Sequence, residues 1–143
     1  MTRDRNLFWF ALLFTLLLVV LTACGGSTAP AGPQQVQVTL SEFKITSSVT
    51  AFSPGTSYHF VVTNNGKIAH EFMIMPMGMH MERMSMDEMH KRALYMFDNV
   101  APGETKTFDY TFNQSMVGQN FEFACHLPGH YEAGMKLDVT VSQ

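Results

Sequence analysis

Near the C-terminal end of the sequence, three side chains with metal-binding chemistry lie close together. In the stretch FACHLPGHYEAGM, Phe123 to Met135, the thiol of Cys125, the imidazole of His130 and the thioether of Met135 are each separated by four residues. Thiolate and thioether are soft donors that favour Cu(I), while imidazole suits Cu(II). A mixed set holds both oxidation states. If the fold fixes a geometry between the two preferences, little has to move when an electron arrives. Two imidazoles and a thiolate in a plane, with a weak axial thioether, is the ligand set of blue-type copper centres. This stretch supplies three of the four donors. His70 is the best candidate for the second imidazole.

Such donors need rigid elements to hold them. The chain outside this stretch reads mostly as short strands. Val36 to Leu40 alternates with period two, and Phe43 to Thr46 continues that strand or begins another. Tyr58 to Thr63 is a β-branched and aromatic run that ends at the turn signal Asn64-Asn65-Gly66. Ala69 to Met75, Thr105 to Phe112, Asn120 to Ala124 and Met135 to Val141 are further strand candidates, and Pro54-Gly55 and Pro102-Gly103 mark turns. Many short strands between turn signals predict a β-sandwich with Greek-key connections. Cys125 then ends one strand and Met135 starts the next. Pro128-Gly129 turns His130 back to the same end of the sandwich.

Taken with His70 in its AHEF context, the Cys125–His130–Met135 spacing resembles the cupredoxin family, whose electron carriers include plastocyanin, azurin and auracyanin. The resemblance covers about residues 36–142. It implies an all-β, eight-stranded Greek-key sandwich with one type 1 copper at one end. His70 and His130 would be the imidazole ligands, Cys125 the thiolate and Met135 the axial ligand. The loop spacing is more similar to auracyanin than to the tighter plastocyanin loop. The CHLPGHYEAGM stretch also resembles periplasmic cupredoxins linked to copper tolerance, which carry a His/Met-rich insertion after the first His ligand. Two positions depart from the family pattern. Several members have Asn where this chain has Glu71, which leaves open the usual hydrogen bond to the Cys sulfur. His126 directly follows Cys125, and strand alternation points it away from the metal. His59 reads as an ordinary strand residue.

One segment breaks the β pattern. Nine of the twelve methionines fall between Met73 and Met96. Ser85-Met86-Asp87-Glu88 is a capping-box signature, so Met86 to Tyr95 is expected to be a short helix after a Pro76/Gly78 loop. The insertion, about residues 75–97, has three readings. Met86, Met89, Ala93 and Met96 form a packing face. Met75, Met77, Met79, His80 and Met81 form an auxiliary Cu(I) site. The surface docks a redox partner.

The N-terminus reads as an export signal. A basic Met1–Arg5 precedes an apolar run from Leu7 to Val20, shorter than the roughly 20 residues a membrane span needs. Leu21-Thr22-Ala23-Cys24 resembles a bacterial lipobox, which implies removal of residues 1–23 and lipidation of Cys24. Residues 24–35 would then be a flexible tether. The protein is expected to be exported and lipid-anchored at the cell membrane, facing the periplasm or cell exterior. Cys125 is then left without a disulfide partner in an oxidising compartment, where a metal would both protect and use it. A buried inert thiol is the other reading. Without Arg3, Asp4 and Arg5 the net charge is about −4, and no basic run argues for nucleic acid.

These observations favour a monomeric, membrane-anchored one-electron copper protein with a redox donor and acceptor as partners. Copper sequestration, tolerance or delivery through the Met-rich segment is the alternative. A copper enzyme is disfavoured because a full ligand set leaves no open coordination position.

Overall fold

In the computed structural model the described residues are 32–78 and 83–143. Their strands form two sheets. The four-stranded sheet has the order β2-β1-β4-β7, built from β1 (Gln34–Ser41), β2 (Lys44–Ser47), β4 (Ser57–Asn64) and β7 (Thr105–Thr111). The five-stranded sheet has the order β3-β9-β8-β5-β6, built from β3 (Ala51–Phe52), β5 (His70–Pro76), β6 (Tyr95–Val100), β8 (Asn120–Ala124) and β9 (Lys136–Val141). The β1–β4 and β3–β9 pairs are parallel and the others antiparallel. The chain crosses between sheets repeatedly, as the expected Greek-key sandwich requires.

Alternation drives burial. In β1 and β4, Val36, Val38, Leu40, Tyr58, Phe60 and Val62 are buried while their neighbours are more exposed. Aromatic rings fill the space between the sheets: Phe60 stacks on Phe108 at 4.7 Å, and Phe52 on Phe112 at 4.7 Å. Each fully buried Phe contributes on the order of 1.5–3 kcal/mol of transfer free energy.

Strand β5 differs, because His70 to Met75 are all buried. Phe72 and Ile74 belong to the inter-sheet core. Met73 and Met75 face the other way, where Met89, Met84, Met86, Ala93 and Met96 cover them. The cover includes α1 (Met86–Arg92), which starts at a capping box in which Ser85 and Glu88 satisfy each other's backbone N–H.

The helix ends at Arg92 rather than Tyr95. Ala93 and Leu94 turn the chain, the Leu94 N–H bonds to the Ile74 carbonyl, and Tyr95 opens β6 beside β5. The aromatic pair Tyr95 and Phe97 packs on Phe108 and gains more as strand than as another helical turn. Strand β3 and strand β6 were not evident from the sequence, and nine strands are described where the resemblance implied eight. Among the described residues no helix is long and apolar enough to cross a membrane. The predicted signal segment 1–23, Cys24, most of the tether, Met79, His80 and Met81 lie outside the described residues.

Candidate metal centre

Antiparallel pairing places β5 beside β8, with Met73 opposite Ala124 and Ile74 opposite Phe123. His70 at the start of β5 and Cys125 just after β8 therefore meet at one end of the sandwich. This is the adjacency that the sequence could not supply. The Cys125 N–H bonds to the Met135 carbonyl at 3.1 Å, and the Met135 N–H to the His130 carbonyl at 3.0 Å. The loop is thus closed at its neck by β8–β9 pairing and folded back on itself. Pro128-Gly129 makes the predicted turn: the His130 N–H reaches the Leu127 carbonyl at 2.9 Å, with Gly129 at φ 82°, as position three of a type II turn requires.

The donor atoms converge. His70 Nδ1 lies 3.3 Å from His130 Nδ1, and Cys125 Sγ lies 3.4 Å from the same nitrogen. All three fall within 4.8 Å of one another, the one such group of His, Cys, Asp or Glu donors among the described residues. Metal bonds of about 2.0–2.3 Å from imidazole and thiolate arranged in a plane separate neighbouring donors by roughly 3.5–4 Å. The spacing here is close to that. His70 and Cys125 are fully buried, and His130 is half-buried. Met135 is fully buried beside Cys125 in the core. The donor chemistry and spacing fit a single type 1 copper.

Burial sets the protonation of the donors. Burial, and then the neighbouring His130, hold the His70 imidazole below its usual pKa, so it stays neutral and free to ligate. Burial pushes the Cys125 thiol above its usual value, partly offset by the Glu71 N–H. A metal beside the sulfur reverses that penalty.

The loop before His70 is shaped by Asn64. Its side chain donates to the carbonyls of Ile68 and Val100 at 2.8 Å and accepts the Gly66 N–H at 2.8 Å. A Cβ on Gly66 would crowd two buried side chains, at 3.0 Å from Asn64 Oδ1 and 3.1 Å from His70 Nε2. Phe43 was not evident as part of the site. It sits in the β1–β2 turn at φ 59°, 45% exposed, with its ring edge-on to His130 at 5.3 Å. Phe at positive φ costs about 1–2 kcal/mol, and no sequence rule for turns selects it.

Glu71 keeps the hydrogen bond to sulfur that its departure from Asn had left open. Its N–H points at Cys125 Sγ at 3.3 Å. Its carboxylate faces the outer side of the sheet with His126. The His126 ring stacks on Tyr131 at 4.5 Å, away from the donor cluster as alternation predicted. His59 pairs across strands with Asp109 at 2.6 Å. In the insertion, Met75 is buried under α1 and Met77 is exposed.

No protein-family model matches the chain. It is 40% identical to the copper-resistant cuproprotein CopI of Vibrio cholerae over 57% of this chain and 48% of that protein. It is 33% identical to CopI of Rubrivivax gelatinosus over 61% of this chain and 53% of that protein, so the chain spans about half the length of these two. It is 26% identical to CopI of Pseudomonas aeruginosa over 87% of this chain and 93% of that protein. Among solved structures, dithionite-reduced auracyanin from Roseiflexus castenholzii is similar with a TM-score of 0.61 and 18% identity, over 79% of this chain and all of that one. An azurin from Methylomonas sp. strain J is similar with a TM-score of 0.57 and 14% identity, over 77% and 98% of the two chains. The chain has the cupredoxin fold.

Proposed function

We propose that the protein is a mononuclear copper protein of copper resistance, held outside the cytoplasmic membrane, that works by one-electron transfer. The observation that carries this is the convergence of His70 Nδ1, Cys125 Sγ and His130 Nδ1 at one buried point. His70 and His130 supply imidazole, Cys125 thiolate and Met135 the axial thioether. The similarity to proteins described as copper-resistant cuproproteins supports the physiological setting. Bound copper supplies a one-electron Cu(I)/Cu(II) couple. The chain's own residues fix the donors on two strand ends and a tied loop, exclude water around His70 and Cys125, and leave the half-buried His130 as the edge nearest solvent. A redox protein that donates the electron and another that accepts it are the partners this role needs. The apolar Leu7–Val20 run followed by Cys24 supports anchoring through a lipid.

Copper sequestration or delivery is the second reading, favoured by the thioethers of the insertion. The visible spectrum tests the first. Cu(II) added to the full chain is expected to give an intense sulfur-to-copper charge-transfer band that Cys125→Ser abolishes. A colourless protein overturns the assignment. Cu(I) titration separates the two roles: one tight equivalent favours the carrier, and several equivalents lost on Met-to-Leu changes at Met75, Met77, Met79 and Met81, or on His80→Ala, favour handling.

A further inference from the structure

Glu71 is 1% exposed, and a buried carboxylate is costly unless it is well hydrogen-bonded. Its two oxygens have separate partners. Oε2 accepts the His126 N–H at 3.0 Å, and Oε1 lies 2.9 Å from His90 Nε2. A carboxylate only accepts, so Nε2 carries the hydrogen. The same residue's N–H reaches Cys125 Sγ at 3.3 Å. One residue of β5 therefore touches the sulfur, the backbone that follows it and the last turn of α1. The helix end is itself fixed, because Met89 is buried against Met73 and Met75 and Ser85 caps the start.

We propose that His90 is a positioning residue for the metal centre: through the Glu71 carboxylate, the insertion helix holds the Glu71 N–H on the Cys125 sulfur. The proposal rests on the copper reading above. Hydrogen bonding around a Cys ligand tunes the copper potential. An N–H aimed at the sulfur withdraws electron density from it and favours Cu(I). Removing His90 leaves one carboxylate oxygen buried without its donor. Glu71 then shifts to recover a partner, the N–H moves off the sulfur, and Cu(II) gains. In this arrangement the Met-rich insertion acts on the primary site without supplying a ligand to it.

The test compares the full-length wild type with His90→Leu and His90→Gln. Reduction potential, charge-transfer band position and thermal stability are measured on each copper-loaded protein, and backbone amide exchange on each metal-free protein. For His90→Leu the copper equilibrium is expected to move about tenfold toward Cu(II), a fall of about 59 mV, with a shifted band and faster exchange at the Glu71 and His126 amides. His90→Gln, which keeps an N–H donor, is expected to restore most of each value. If His90→Leu lowers stability but leaves potential, band and exchange at wild-type values, the helix merely packs and the proposal is overturned. A wild type without the band overturns the copper reading instead. Amide exchange in the metal-free proteins then decides the clamp alone: faster exchange at Glu71 and His126 supports it, and unchanged exchange overturns it.

Discussion

The Cys125–Met135 loop and the Met-rich insertion are both dense in soft donors, yet they are built in opposite ways. In the loop, backbone hydrogen bonds and one Pro-Gly turn aim Cys125 and His130 at a point shared with His70. In the insertion, Met89 packs with Met84, Met86 and Met96 over the face of β5 that carries Met73 and Met75. In the loop the His and Cys donors converge because the backbone aims them. Thioethers are adaptable enough to fill an irregular gap between a helix and a sheet, and that suffices to explain why Met73, Met75 and Met89 are there.

The contrast can be broken most sharply at the sulfur. Cys125→Ser or His130→Ala is expected to lower copper affinity by more than about 100-fold, beyond the usual effect of residues that only touch ligands, while Met75→Leu leaves it unchanged. Equilibrium competition with a chelator measures both, and comparable losses at both would erase the distinction. Next in size is Met75→Ala. It should cost about 2–5 kcal/mol in denaturant unfolding through the cavity it leaves, whereas Met77→Ala at an exposed position should stay within about 0.5 kcal/mol. Ser85→Ala removes the cap of α1 and should cost about 1 kcal/mol, read as faster amide exchange confined to the helix and the strand it covers.

A smaller, pH-dependent effect concerns Glu122, which is buried beside Met75 on the covered face and accepts the Tyr131 hydroxyl at 3.1 Å. Burial raises its pKa, partly offset by that hydrogen bond. The folded state then binds its proton more tightly than the unfolded state does. Its contribution to stability should be fully present below the ordinary Glu value of about 4.3 and be lost as pH rises through that value to the raised one. Glu122→Gln should flatten the dependence in that window, as unfolding at a series of pH values would report.

The loop was legible in the sequence because it is local. Cys125, Pro128, Gly129, His130 and Met135 are near neighbours, and turn chemistry fixes how such a segment folds. His70 was legible by chemistry, since the donor set lacked an imidazole, but its position depended on β5 lying beside β8, a long-range pairing. Strand alternation also placed His126 on the outer side. Other features were not readable. Tyr95 reads as helix because helix-forming residues precede it, and the aromatic contact that favours strand comes from Phe108. Phe43 reads as a strand residue from its type, but it sits in the β1–β2 turn with its ring edge-on to His130. Glu71 read as a departure that put a hydrogen bond in doubt. The backbone, not the side chain, makes that bond, and backbone donors do not show in residue types.

Copper bound by His70, Cys125 and His130 and copper bound among the thioethers of the insertion differ in their nearest atoms. X-ray absorption at the copper edge, on the full chain loaded with one equivalent, tests the first most directly. Two nitrogen neighbours and one short sulfur are expected, with loss of the short sulfur in Cys125→Ser. A shell of several thioether sulfurs without nitrogen, unchanged by Cys125→Ser, would contradict binding by His70, Cys125 and His130.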